Sequence, residues 1–201
     1  MARERECDID SVLITHTHAD HVMGMDDLRS ISGKTGRDVP VYALPEHQDD
    51  IRRIFPYAFQ EFAPGIQVPR FSMVDIPPVL ELCGMTLLCF KVWHGKTTVV
   101  AFRTGDFAYI TDVSKIPEEH YSLLDGLQTL VLDAVRLRPH PNHLHYDAAV
   151  EVAQRIRAKQ TFFTHLSHDY DHDEFEKTMP DGIRLAYDGQ RITISGHQLE
   201  S

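Results

Sequence analysis

The sequence predicts an α+β sandwich, with helices packed outside two stacked sheets. Three observations predict it. A short β-branched run at residues 11–15 leads straight into a cluster of histidines and then into a helix. Short apolar runs separated by Gly84, Gly95 and Gly105 fill residues 68–111, the spacing of a strand meander. Beyond them, helical and strand patterns alternate toward the C-terminus.

Taken in order, Ser11-Val12-Leu13-Ile14-Thr15 is a buried-type strand, and residues 22–29 start a helix. A short strand follows at 40–43, then a helix opened by Pro45 that runs to about residue 55, because proline suits the first helical turn. The aromatic stretch 55–62, closed by Ala63-Pro64-Gly65, reads either as a lid over substrate or as a helix end packed on the core; its spacing favours packing. Strands are expected at 71–75, 79–82, 85–92, 97–103 and 107–111, joined as one antiparallel meander. Residues 117–124 read as helical, 129–133 as a buried strand, 147–158 as an amphipathic helix and 160–164 as another strand. Closing strands at 183–187 and 190–194 are joined across Asp188-Gly189, a good hairpin turn. No internal repeat or low-complexity tract interrupts the chain, which reads as one domain over residues 1–201.

The segment His16-Thr17-His18-Ala19-Asp20-His21 puts three imidazoles and a carboxylate into six residues. In extended chain, side chains two apart point the same way. His16 and His18 can therefore converge on one ion while Asp20 and His21, past the bend, serve a second. A strand-to-helix junction is rigid enough to hold ligand geometry and lies at the strand's carboxyl end, where substrates reach α/β sites. The competing reading is a His-rich surface loop. Against it, His94 follows the strand at 85–92, Asp112 follows 107–111 and His165 follows 161–164, so further candidate ligands recur at strand ends.

The order His-x-His-x-Asp-His, then a distant His, an Asp and a last His, resembles the metallo-β-lactamase superfamily. The words Thr-His-Thr-His-Ala-Asp-His, Tyr-Ile-Thr-Asp-Val-Ser and Thr-His-Leu-Ser-His-Asp are most similar to its PhnP-like branch, which contains the cyclic phosphodiesterase of phosphonate breakdown. The resemblance runs from about residue 8 to the C-terminus. It implies an αββα fold and two divalent cations, Zn2+ or Mn2+, with His16, His18 and His94 on one, Asp20, His21 and His165 on the other, and Asp112 bridging. It further implies a metal-bridging hydroxide that attacks phosphorus in line. Asp20 and His143 are its catalytic pair, His143 protonating the departing alkoxide or stabilising a phosphate oxygen. His140 and His145 read as parts of a polar loop. Arg136 and Arg138 either position a phosphate or are solvated. Asp133 either orients a metal-bound histidine or caps the loop that follows it.

One departure from the family stands out. Relatives open with additional strands, and in the PhnP-like branch closely spaced cysteines join a histidine, matching His168, in a structural zinc site. This chain reaches His16 almost at once, so against the family an αββα sandwich with part of the first sheet missing is expected, and it offers only Cys7, Cys83 and Cys89. The expectation is a shortened gene model that leaves apolar surface and strand edges uncovered, or a homo-oligomer in which another chain supplies the cover.

Composition narrows the setting. With 42% hydrophobic residues the chain can bury a sizeable core, and no apolar run is long enough to span a bilayer. An opening without an apolar signal core, and three unclustered cysteines, make the cytoplasm the expected location. Twenty basic against thirty acidic side chains give a formal charge of −10, which repels nucleic-acid backbones and favours a small phosphodiester substrate. The function expected is metal-dependent phosphodiester hydrolysis. Alternatives are a tRNase Z-like nuclease or a thioester or lactone hydrolase on the same site, and, in another class, a catalytically silent metal-binding protein.

Overall fold

The computed structural model describes residues 9–63 and 65–194, so Cys7 lies outside the described residues. The chain divides into two compact units, Met1–Ile76 and Pro77–Ser201.

The first unit holds a three-stranded parallel sheet of β1 (Val12–Leu13), β2 (Val39–Ala43) and β3 (Phe71–Asp75), in that order. Parallel neighbours need crossovers, and helices supply them. Between β1 and β2 run α1 (Ala19–Val22), a 3-10 stretch at Met23–Leu28 and α2 (Arg29–Thr35); between β2 and β3 run α3 (Pro45–Ile54) and a 3-10 turn at Pro56–Phe59. Leu44 is extended and Pro45 opens α3, while Gly36 ends α2 at φ 68°, its N–H reaching the Ser32 carbonyl. Val22, Met25, Leu28, Val41, Ile51 and Phe55 are among the residues that close the core.

Two expectations are decided here. Phe71–Asp75 does not belong to the meander: it pairs in parallel with β2, Val39 opposite Phe71. Pro77 and Pro78 follow it, and such a pair cannot make the tight turn that an antiparallel hairpin needs. In the aromatic stretch, Phe55 is 3% exposed and its ring meets Phe71 edge-on at 5.9 Å, with Phe59 at 5.8 Å from the same ring. The stretch packs onto β3, so the lid reading fails.

The second unit holds seven strands in the order β10-β9-β8-β7-β6-β5-β4. β4 (Val79–Leu82), β5 (Met85–His94), β6 (Thr97–Thr104) and β7 (Phe107–Ile110) form the antiparallel meander; β8 (Thr129–Asp133), β9 (Gln160–Thr164) and β10 (Ile183–Leu185) continue it in parallel from β7. α4 (Tyr146–Ile156) links β8 to β9, and α5 (His172–Glu176) lies between β9 and β10. Residues Glu118–Leu124 form a 3-10 helix. Leu130, Leu132 and Phe163 of the parallel strands are fully buried with Ile110, Val92 and Val99. β5, β7, β8 and β9 run in one direction, so their carboxyl ends, and whatever those ends carry, gather at one end of the sheet.

The closing hairpin is not formed. Residues 190–194 are described and carry no strand, and β10 pairs with β9 on one side. Gln190 instead closes the turn on itself: its N–H donates to the Tyr187 carbonyl at 3.1 Å and its Oε1 accepts from the Tyr187 N–H at 3.3 Å. The residues beyond alternate only between exposed and half-buried, too little apolar burial to hold a strand. Among the described residues, no helix is long and apolar enough to cross a membrane.

Candidate metal centre

Each unit carries its own share of the predicted ligands. In the first, β1 delivers its chain end to the histidine cluster, with the Ile14 N–H bonded to the Tyr42 carbonyl at 2.9 Å. His16 is 1% exposed, and its ring centroid lies 4.5 Å from that of His18 and 4.3 Å from that of His21. His18 is the N-cap of α1, so Asp20 and His21 fall in its single turn, with His21 Nε2 at 3.5 Å from Asp20 Oδ2. Thr17, between the two histidines, donates to Asp50 Oδ2 on α3 at 3.0 Å and pins the loop. The structure thus brings His16, His18, Asp20 and His21 onto one bend.

In the second unit, His94 ends β5, Asp112 lies just past β7, Asp133 ends β8 and His165 lies just past β9. Asp112 Oδ2 is 3.5 Å from His165 Nε2 and 3.9 Å from His143 Nδ1. Asp112, His143 and His165 offer ligand atoms within 4.8 Å of one another. His143 also meets His94, ring centroids 4.4 Å apart, and stacks on His165 at 4.9 Å. An imidazole beside a carboxylate that is 1% exposed, as His165 is beside Asp112, is the donor chemistry that a zinc or similar divalent ion takes. Asp112 and His165 hold left-handed backbones, φ 50° and 60°, without being glycine. That geometry costs about 1–2 kcal/mol per residue, a cost that persists at sites where side-chain placement demands it.

Asp133 takes neither of the two roles weighed from the sequence as stated: it caps the loop after Asp112, not the loop that follows it, and the histidine it holds is His143, outside the expected ligand set. Its Oδ2 caps the loop after Asp112, accepting the Val113 N–H at 3.0 Å, and accepts from His143 Nδ1 at 2.9 Å. The histidine it orients is His143, with His165 Nδ1 also at 3.7 Å from its Oδ1. Burial holds the Asp133 carboxyl above the ordinary carboxylate range, against the lowering pull of His143, His165 and the Val113 N–H. Asp133→Ala is expected to strand the buried Val113 donor and cost about 1–3 kcal/mol of stability in urea unfolding.

The loop that carries His143 is braced from within. Arg136 donates to the carbonyls of Arg138 and Pro139 at 3.0 and 2.6 Å, so its guanidinium shapes the loop. Asn142 gives its carbonyl to His94 Nδ1 at 2.8 Å, which fixes that ring and turns its Nε2 the other way. Its side chain fills the space where Gly95 has no Cβ: a methyl group there would collide with the Asn142 carboxamide, at a φ of 60° that already favours glycine. Gly95→Ala is expected to lower stability by about 1–2 kcal/mol or more and to loosen metal retention through His94, as urea titration and elemental analysis can read. His140 sits with its ring 4.8 Å from that of His143 and accepts the Asn142 N–H at 3.1 Å; burial first, then the neighbouring His143, holds its pKa below the usual histidine value. Residue 145 serves as the N-cap position of α4.

The sequence singled out His94, Asp112, His143 and His165 but passed over Asn142 and treated Gly95 only as a bend. A glycine directly after a strand-ending candidate ligand was the available signal. His168 has a side chain 98% exposed, so it lies apart from these groups. Asp171 caps α5 through the Glu174 N–H at 3.1 Å. Cys83 is exposed and Cys89 half-buried, the latter pushed up to about 11 by burial.

A family model for the beta-lactamase superfamily domain matches residues 2–166. The chain belongs to the beta-lactamase superfamily. Among the described residues, two sheets and five α-helices form the metallo-β-lactamase fold, and the chain is PhnP-like. The crystal structure of a new diphosphatase from the PhnP family is 36% identical, covering 94% of this chain and 73% of that one, with a TM-score of 0.85. Zn2+-bound PqqB from Methylobacterium extorquens, 19% identical over 92% of this chain and 73% of its own, superposes with a TM-score of 0.70. The short form of human tRNase Z, 17% identical over 93% of this chain and 80% of its own, gives 0.66. These two show the fold alone. A curated relative, an octanoyltransferase of Porphyromonas gingivalis, is 30% identical over 92% of this chain, which spans only 38% of that protein.

Proposed function

We propose that this metallo-β-lactamase superfamily member is a phosphodiesterase acting on small diesters, cyclic ribose phosphates among them. The observation that carries the reading is the Asp133–His143 hydrogen bond beside Asp112 and His165. With Nδ1 committed to Asp133, His143 keeps one tautomer and offers Nε2 to the reaction. In its protonated form it hands that proton to the alkoxide that leaves phosphorus. A carbonyl substrate with a good leaving group has less need of such a donor. The 36% identity to a protein described as a diphosphatase supports a phosphoryl substrate.

The ligand assignment is part of the proposal. His16, His18 and His94 would hold one ion and Asp20, His21 and His165 the other, with Asp112 available to both, in a single hydrolase domain over residues 1–201. Zn2+ and Mn2+ suit these nitrogen and oxygen donors. When bound, such ions supply Lewis acidity that makes water a nucleophile near neutral pH and offsets charge on the phosphorus oxygens. The protein residues do the rest: Asp20 and Asp112 supply the negative charge that retains the cations, the Asn142 carbonyl orients His94, and Asp133 orients His143. The formal charge of −10 disfavours a long nucleic-acid substrate, and three cysteines spread singly along the sequence suit a reducing cytoplasmic setting.

A second reading, cleavage of an acyl ester or thioester, draws on the octanoyltransferase name, which belongs to a protein much longer than the matched segment. One assay separates the readings. Metal-reconstituted protein is expected to turn over bis-(4-nitrophenyl) phosphate well above its rate on a 4-nitrophenyl acyl ester or on single-stranded RNA. Absence of any diester turnover by protein that carries its metal would sink the phosphodiesterase reading, and faster acyl ester cleavage would favour the second.

A further inference from the structure

We propose that a cleft beside His165, walled by Tyr187, binds a flat ring carried by one arm of the substrate ester. The proposal rests on the phosphodiesterase reading and adds a substrate class to it. The cleft measures about 230 Å3 and is lined by Thr164, His165, Leu166, Ala186, Tyr187 and Asp188. It lies where β9 and β10 end, directly beside a proposed metal ligand.

Its construction is specific. The Ala186 N–H donates to the Phe163 carbonyl at 2.8 Å, so the β9–β10 pairing extends to the cleft's edge. Tyr187 follows on the turn that Gln190 closes from both sides, with Gly189 at φ 84°. The backbone beneath the phenol ring is therefore pinned. The Tyr187 ring is itself 61% exposed, backed edge-on by His172 at 6.1 Å. A large aromatic ring left open on a fixed turn, next to a reaction centre, is a stacking platform rather than a core residue.

Size and chemistry narrow the occupant. The volume falls below the 300–1,000 Å3 or so of pockets that enclose a whole ligand, and fits one ring whose phosphate stays outside at His165. Leu166 and Ala186 give that ring apolar neighbours, while the Asp188 carboxylate can accept from a hydroxyl or amino substituent. A nucleobase and a simple aryl group share this chemistry.

The test is calorimetric titration of metal-reconstituted protein with phenyl phosphate and methyl phosphate, which differ only in the ring. Wild type is expected to bind phenyl phosphate roughly tenfold tighter, the scale that stacking on one aromatic side chain gives. Tyr187→Ala should erase the preference, and Tyr187→Phe, which keeps the ring, should retain it. A thermal melt of each variant checks folding, which an exposed position leaves intact. Equal affinities in wild type, or a preference that survives Tyr187→Ala, overturn the cleft assignment alone. If neither ester binds and no diester is turned over, the cleft and the phosphodiesterase reading fall together.

Discussion

Replacing His143 with alanine is expected to leave the metal content of the purified protein unchanged while cutting turnover of a diester with an alkyl leaving group by about 10²–10⁴-fold. The expectation follows from where the imidazole is tied. His143 is oriented by a fully buried carboxylate, Asp133, which also holds the loop after Asp112 through the Val113 N–H. It lies against His94 and His165 by ring contact, close enough to serve the same reacting atoms. Loss of metal on this substitution, read by elemental analysis, would make His143 a ligand and remove the proton donor from the scheme. Asp133→Asn is the companion: it keeps an acceptor oxygen in nearly the same place, so it should lose less activity than His143→Ala.

Stripping the metal with a chelator is expected to abolish hydrolysis, and adding back Zn2+ or Mn2+ should restore it. Stability should move as well. In the second unit Asp112 and Asp133, 1% and 0% exposed, share one site with the imidazoles of His143 and His165, and divalent charge offsets their carboxylates. A ligand at 100 times its dissociation constant adds about 2.7 kcal/mol. For a chain of this size that is roughly 5–10 °C in melting midpoint. A stripped protein that melts at the same temperature as the reconstituted one, and hydrolyses diesters equally well, contradicts the role given to the metal.

The places of the candidate ligands were legible because histidine and aspartate at strand ends stand out in sequence. His16, His18, Asp20 and His21 follow β1 within one bend, and His94, Asp112 and His165 each end or follow an apolar strand, while their roles as ligands came from the family resemblance. What supports the ligands was less visible. Asn142 acts through a backbone carbonyl, which any residue possesses, and Gly95 acts through an absent Cβ. Arg136 read as either a phosphate-positioning or a solvated charge, because its charge is visible in sequence and the carbonyls it spends that charge on are not.

The same division runs through the fold. Strands and helices with strong periodicity came out close to their observed bounds, such as α3 at Pro45–Ile54 and β9 at Gln160–Thr164. Pairing partners did not. β3 was assigned to the strand nearest in sequence, whereas the helix between β2 and β3 closes a parallel crossover that local pattern cannot reveal. The Asp188-Gly189 turn was recognised correctly as a turn, yet the strand beyond it lacks the buried face that would hold it.

The leaving-group dependence of the reaction tests the central claim most directly. For metal-reconstituted wild type and His143→Ala, the rate on a phosphodiester that expels 4-nitrophenolate is compared with the rate on one that expels an alkoxide. A donor poised at His143 predicts a small penalty for the substitution on the stable phenolate and a penalty on the order of 100-fold greater on the alkoxide. Equal penalties on the two substrates would contradict it.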